Sequence, residues 1–222
     1  MVTSLLTRTT APPHRHGGRY LTAAVACLFA LGLTCAVFVW TPGGQSFDTA
    51  LLPLSERGAS YEQDTALLGP AKAVLAFLGD ELLLGVVLLA AVLLSRRLWT
   101  SVAAVGVVLG SLGTARVLKE VVVRPDLEVV GSSTHNSFPS GHVAVVTALV
   151  LAFLLVLPPA ARWWVLVPGA AAVVVVGAST MITGWHRLSD VVGGALVAAV
   201  LHCLAAAALA DDRAPSAARD DS

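Results

Sequence analysis

Residues 163–183 read WWVLVPGAAAVVVVGASTMIT, twenty-one positions without a charged side chain. At about 1.5 Å of rise per helical residue such a stretch spans roughly 30 Å, the thickness of a bilayer's hydrocarbon core. Further apolar blocks lie on both sides of it, at 20–40, 71–94, 98–118, 142–157 and 188–210. The whole chain has 222 residues, 56% of them hydrophobic and only 13% charged, where soluble domains carry about 25% charged residues. Its mean hydropathy is +0.81. This composition excludes a disordered chain, a nucleic-acid binder and an ordinary cytosolic enzyme. Fourteen basic residues balance fourteen acidic ones, so no net field recruits a charged partner. The expected fold is all-α, a polytopic membrane protein of six transmembrane helices.

The polar remainder organises around these blocks. Residues 1–19 carry Arg8, Arg15, Arg19 and the pair His14 and His16, and read as a cytoplasmic tail with solvated histidines. The run at 20–40 is long for a signal sequence and lacks a small-residue cleavage site, so it reads as a retained span. Residues 41–70 form a mixed loop with room for a short helix on the membrane surface, and 211–222 a second cytoplasmic tail. With both termini inside, eight of the Lys and Arg residues fall on the cytoplasmic side and six outside, the sense of the positive-inside rule. Cys27, Cys35 and Cys203 sit within apolar blocks and read as small hydrophobes. Trp163 and Trp164 read as interfacial anchors. Asp80 and Glu81 lie within the second block, with Arg116 as a candidate partner, and are left out of the site.

Parity decides where the chemistry lies. The loops after the third and fifth blocks emerge on one side, and they hold the unusual polar residues. The first runs Lys119-Glu-Val-Val-Val-Arg124-Pro125-Asp126, then His135-Asn-Ser-Phe-Pro139-Ser140-Gly141-His142. The second runs Ser179-Thr-Met-Ile-Thr-Gly184-Trp185-His186-Arg187-Leu-Ser-Asp190. Each places a histidine at a helix start, where unsatisfied amides and the positive end of the helix dipole suit an anion. Ser140 and Gly141 offer a hydroxyl and an unobstructed amide, while Lys119 and Arg124 add cations matched to phosphate oxygens. His186 and Asp190 stand four apart, neighbours on a helical face. The carboxylate can fix the imidazole tautomer and leave the other nitrogen free to attack phosphorus. His142 can act as general acid to the leaving alkoxide and then as base to water.

These residues resemble the type 2 phosphatidic acid phosphatase (PAP2) family, whose active-site plan is shared with vanadium haloperoxidases. The resemblance rests on Lys119 and Arg124-Pro125, on Pro139-Ser140-Gly141-His142, and on His186-xxx-Asp190, and it covers about 71–210 of a membrane domain at 20–210. It implies a six-helix PAP2-like bundle and hydrolysis of lipid phosphate esters or diphosphates without metal or cofactor. By the same match His186 is the nucleophile, His142 the acid and Asp190 the orienter. Lys119, Arg124, Ser140 and Gly141 become phosphate ligands. Two departures stand out. The family places six residues between the Lys and the Arg-Pro, where this chain has four. The family's Ser-Arg pair is here Ser179-Thr180, which leaves Arg187, beside the nucleophile, as a partial substitute although a helical neighbour of His186 would point elsewhere. Activity is expected to be retained over a narrower range.

The expected partners are a lipid phosphate and the surrounding membrane lipids, with no nucleic acid, and the site faces outward. Phosphatidic acid, phosphatidylglycerol phosphate and polyprenyl mono- or diphosphates share the group this constellation grips. A zinc site is the rival chemistry, opposed by the Lys and Arg companions. A non-catalytic lipid-binding protein is the rival class. His135 reads as a solvated loop histidine and His202 as a packing residue near the last helix end. Oligomeric state leaves no mark in the sequence.

Overall fold

The computed structural model describes residues 16–52, 66–78, 81–129 and 135–211. The tail readings at 1–15 and 212–222, the middle of the loop at 53–65, and Asp80 fall outside these residues. The described chain is all helical: α1 (His16–Trp40), α2 (Pro42–Ala50), α3 (Leu68–Leu78), α4 (Glu81–Leu94), α5 (Leu98–Val121), α6 (Gly141–Val156), α7 (Trp163–Ile182) and α8 (Leu188–Asp211), with a single 3-10 turn at Pro159–Ala161.

Helices α1, α5, α7 and α8 are each long and apolar enough to cross a bilayer. The second apolar block differs from expectation. It is divided into α3 and α4, inclined at 47° to each other, and the intervening Gly79-Asp80 pair is a poor helix former. α6 is apolar but only 16 residues long, about 24 Å at the usual rise. The first helix begins at His16, four residues ahead of the apolar run.

Large apolar side chains point away from the protein along these helices. Phe29 is 71% exposed, Leu93 75% and Trp164 84%, an apolar exterior that water would not tolerate and lipid solvates. The chain is a multi-pass membrane protein.

The interior is built from small residues, as close helix packing in lipid requires. α6 is central, packing against α5, α7 and α8, while α1 lies along α8 and α3 against α7. Ala104 and Val107 of α5, Ala148 and Ala152 of α6 and Ala198 of α8 form one buried cluster. Leu31, Cys35 and Val39 of α1 meet Phe138 and Val197 in a second. Leu75 of α3, Val143 and Val146 of α6 and Val176 of α7 make a third.

Two glycines let α8 pass the start of α6. A Cβ on Gly194 would stand 2.5 Å from the Ser140 carbonyl oxygen and 3.1 Å from the Ala144 amide, and one on Gly193 would meet the Phe138 ring at 2.4 Å. The Ser140 contact is with backbone, which cannot swing away. Gly194→Ala should therefore destabilise the protein by about 2–3 kcal/mol through overpacking, seen as a lower thermal midpoint in detergent. Gly85→Ala on α4, where nothing lies within 4 Å of the new methyl, should leave the midpoint unchanged or slightly higher.

Candidate active site

Five helix ends meet at one end of the bundle. The C-terminus of α5 delivers Lys119 in its last turn, and the chain then runs extended through Arg124, whose side chain is buried. Asn136 ties this arm to the lead-in of α6: its Nδ2 donates to the carbonyls of Lys119 (3.1 Å) and Phe138 (3.2 Å), and its Oδ1 accepts from the Phe138 amide. The end of α1 supports the arm from the other side, where Trp40 Nε1 donates to the Val123 carbonyl at 2.8 Å.

Ser140 caps α6, its hydroxyl accepting from the Val143 amide at 3.5 Å. The same residue's amide donates to the Asp190 carbonyl at 2.8 Å, which joins the starts of α6 and α8. α7 closes with Thr183, whose hydroxyl donates back to Ser179 and Thr180 carbonyls. Gly184 follows in the left-handed region at φ 70°, where glycine carries no steric penalty. The chain then reverses, and the Trp185 and His186 amides both donate to the Thr180 carbonyl, at 3.0 and 3.1 Å.

Asp190 is fully buried in the first turn of α8, where the helix dipole favours a carboxylate. Its Oδ2 collects Ser137 Oγ at 2.6 Å, the Arg187 amide at 2.9 Å and His186 Nδ1 at 3.3 Å. The Arg187 bond is one half of a capping box, with Asp in the usual Glu position. The other oxygen, Oδ1, has no partner among the described residues. A carboxylate facing Nδ1 holds the proton on that nitrogen and leaves Nε2 with its lone pair.

The second capping group of α8 comes from far away in sequence. Asp48 of α2 is buried; its Oδ1 accepts from the Ser189 amide at 3.0 Å and its Oδ2 from the Ser189 hydroxyl. Burial pushes the Asp48 carboxyl above the ordinary carboxylate range, against the pull of these two bonds. Carboxylates thus already occupy amides at the start of α8, so anion binding by free helix amides is left to α6.

A cavity of about 1050 Å³ opens at this end, and its wall includes Lys119, Arg124, Asn136, Ser137, His186 and Arg187. Three cations from two separate stretches of chain, Lys119, Arg124 and Arg187, thus line one cavity. Arg187 differs from expectation in a useful way. Residues 185–187 are not helical and α8 starts only at Leu188, so Arg187 and His186 face the same cavity despite being adjacent. Thr180 is buried and its hydroxyl turns back to the Gly177 carbonyl at 2.8 Å, away from the role an arginine would have there.

His142, Ser140 and Gly141 are not among the residues that line this cavity. The His142 ring lies 5.9 Å from that of Trp185, tilted by 37°, and Trp185 does line the cavity. Trp185 directly precedes His186, so this ring contact sets the two imidazoles at one end of the bundle. His135 is exposed at the cavity wall. Gln45, Asp48, Asn136, Ser137 and Ser189 had no place in the sequence reading. Only Asn136 and Ser137 had a local signal, their position immediately before Phe138-Pro139.

The sequence signature of the PAP2 superfamily matches residues 103–213. Among solved structures, the fold resembles the first transmembrane PAP2 type phosphatidylglycerolphosphate phosphatase from Bacillus subtilis. The TM-score is 0.62 at 23% identity, over 86% of this chain and 96% of that one. No curated protein sequence matches significantly. The family match spans half of the chain and takes in both loops just described, and on it the chain belongs to the PAP2 superfamily.

Proposed function

We propose that the protein is an integral-membrane lipid phosphatase that works through a phosphohistidine. The observation that carries this reading is the His186–Asp190 pair opening onto a cavity walled by Lys119, Arg124 and Arg187. Superfamily membership supports the same chemistry.

In this mechanism the three cations bind the phosphate oxygens, with the Gly141 amide and the Ser140 hydroxyl completing the cradle at the start of α6. His186 Nε2 attacks phosphorus as the ester P–O bond breaks, and His142 gives its proton to the departing oxygen. Asp190 stabilises the imidazolium through Nδ1. Water then attacks the phosphorus of phosphohistidine, His142 takes the water's proton, and the P–N bond breaks to release phosphate and regenerate His186. Arg187 supplies the guanidinium that Thr180 cannot.

The cationic wall favours a phosphate over a metal ion as the bound group, so activity is read as metal-independent. Substrates fitting the site are amphiphiles with a terminal phosphate: phosphatidic acid, phosphatidylglycerol phosphate, and polyprenyl mono- or diphosphates. The structural likeness to a phosphatidylglycerolphosphate phosphatase adds weight to the second. The cavity volume, well beyond that of one phosphate, leaves room for a diphosphate. The site is read as facing outward, with both termini cytoplasmic and six crossings in all.

Phosphate release by the purified protein across this lipid panel tests the reading. Activity should survive chelators and fall with vanadate, which mimics the five-coordinate phosphorus. Release from no member of the panel would leave a non-catalytic lipid-binding protein; loss on chelation would favour a metalloenzyme.

A further inference from the structure

α2 is built the wrong way round for a helix lying on a membrane. Its buried face carries Gln45 and Asp48, while Phe47 is 55% exposed. Gln45 and Asp48 are three apart and so neighbours on that face. Burying a carboxamide and a carboxyl is unfavourable unless both are hydrogen-bonded, and both are, each to a different half of the site. Gln45 Nε2 donates to the Pro125 carbonyl at 3.1 Å and to Val39 at 2.8 Å. Asp48 takes the amide and the hydroxyl of Ser189, one residue before Asp190. The helix is held in place by a fold-back at Gly44, where a Cβ would meet the Val37 carbonyl oxygen at 2.0 Å. Thr41 caps it by accepting from the Gly44 amide at 3.0 Å. α2 itself lies outside residues 103–213, the part matched by the superfamily, while Pro125 and Ser189 lie inside it.

We propose that α2 is a brace in which Asp48, through Ser189, positions His186, and Gln45, through Pro125, positions Arg124. The two contacts set the separation between the imidazole and the cationic arm. The arm needs such a support because the stretch from Val122 to Arg124 is extended chain beyond α5, with no helix of its own to fix it. α8 needs it because its first turn must hold Asp190 and the preceding His186 in register, and Asp48 satisfies a terminal amide there that would otherwise be unpaired.

The inference rests on the phosphatase reading, and its test separates the two. Steady-state kinetics would be measured on a lipid phosphate hydrolysed by the wild-type protein, beside hydrogen–deuterium exchange of the peptide covering 186–192. Asp48→Ala should lower kcat by about tenfold to a hundredfold, the scale of a misplaced reacting group, with KM little changed, and should speed exchange at the Ser189 amide. Asp48→Asn should recover most of kcat, since a carboxamide can accept from the amide and donate to the hydroxyl. Asp48→Ala combined with Ser189→Ala should be no worse than Asp48→Ala alone. Gln45→Ala should act mainly on KM. An active wild type whose kcat stays within twofold in Asp48→Ala overturns the brace while leaving the phosphatase reading standing. So does an Asp48→Asn variant no better than Asp48→Ala, or additive effects in the double variant. A wild type inactive on every lipid phosphate overturns the phosphatase reading itself, and the exchange data then show only that α2 caps α8.

Discussion

Replacing His186 with alanine should lower lipid-phosphate hydrolysis by on the order of 10⁴-fold or more, because nucleophile and base act as one unit. Binding should change far less. In the proposed mechanism the phosphate is held by Lys119, Arg124 and Arg187, which line the cavity, and all three remain when the ring is deleted. Quenching the wild type in alkaline denaturant should trap a phosphoryl group that is labile to acid and stable to base, the signature of a P–N bond, and the variant should show none. His142→Ala should cost less, about 10²–10⁴, as expected for a general acid–base group. A His186→Ala variant that turns over at the wild-type rate would remove the imidazole from the chemistry.

The second large effect is expected at Asp190. Asp190→Asn is nearly isosteric, yet it should lower kcat by about 10³–10⁴, the scale seen when a catalytic histidine loses the carboxylate that sets its tautomer. In the native site Oδ2 accepts three hydrogen bonds at once. An asparagine oxygen in that position keeps the Ser137 and Arg187 donors but no longer stabilises an imidazolium. Its amide then takes the place of Oδ1, which has no partner among the described residues, so a buried donor is left unpaired at a cost of about 1–3 kcal/mol. Thermal stability should fall modestly while kcat falls steeply, and that disparity separates the electrostatic role from a packing one. Equal proportional losses in folded fraction and rate would favour packing alone.

Local features of this site were legible in the sequence. The His186–Asp190 spacing works because both residues sit within one turn of a helix start, and Ser140-Gly141-His142 announces a cap followed by a helix. The parity of apolar blocks placed the two loops together, as the Ser140–Asp190 backbone bond shows. What was hidden is non-local or depends on a boundary. Asp48 and Ser189 are 141 positions apart, and α2 reads PGGQSFDTA, with a proline and two glycines that argue against a helix. Its stability comes from a cap and from buried hydrogen bonds that no pattern along the chain reveals. The place of Arg187 depends on such a boundary: because α8 starts only at Leu188, the adjacent His186 and Arg187 both line the cavity. The second apolar block reads as one stretch because leucines resume directly after Gly79-Asp80-Glu81, yet α3 and α4 are inclined at 47° to each other.

The paired glycines of α8 bear on how freely this sequence can vary. At its exposed positions, such as Val192 and Leu204, that helix borders lipid, and an exhaustive substitution library should find Leu, Val, Ile and Ala interchangeable there. At 193 and 194, as at Asp190, the same library should return almost nothing but the original residue. Drift in the surrounding membrane-facing positions can then proceed without limit, while the spot at which one backbone slides past another stays frozen.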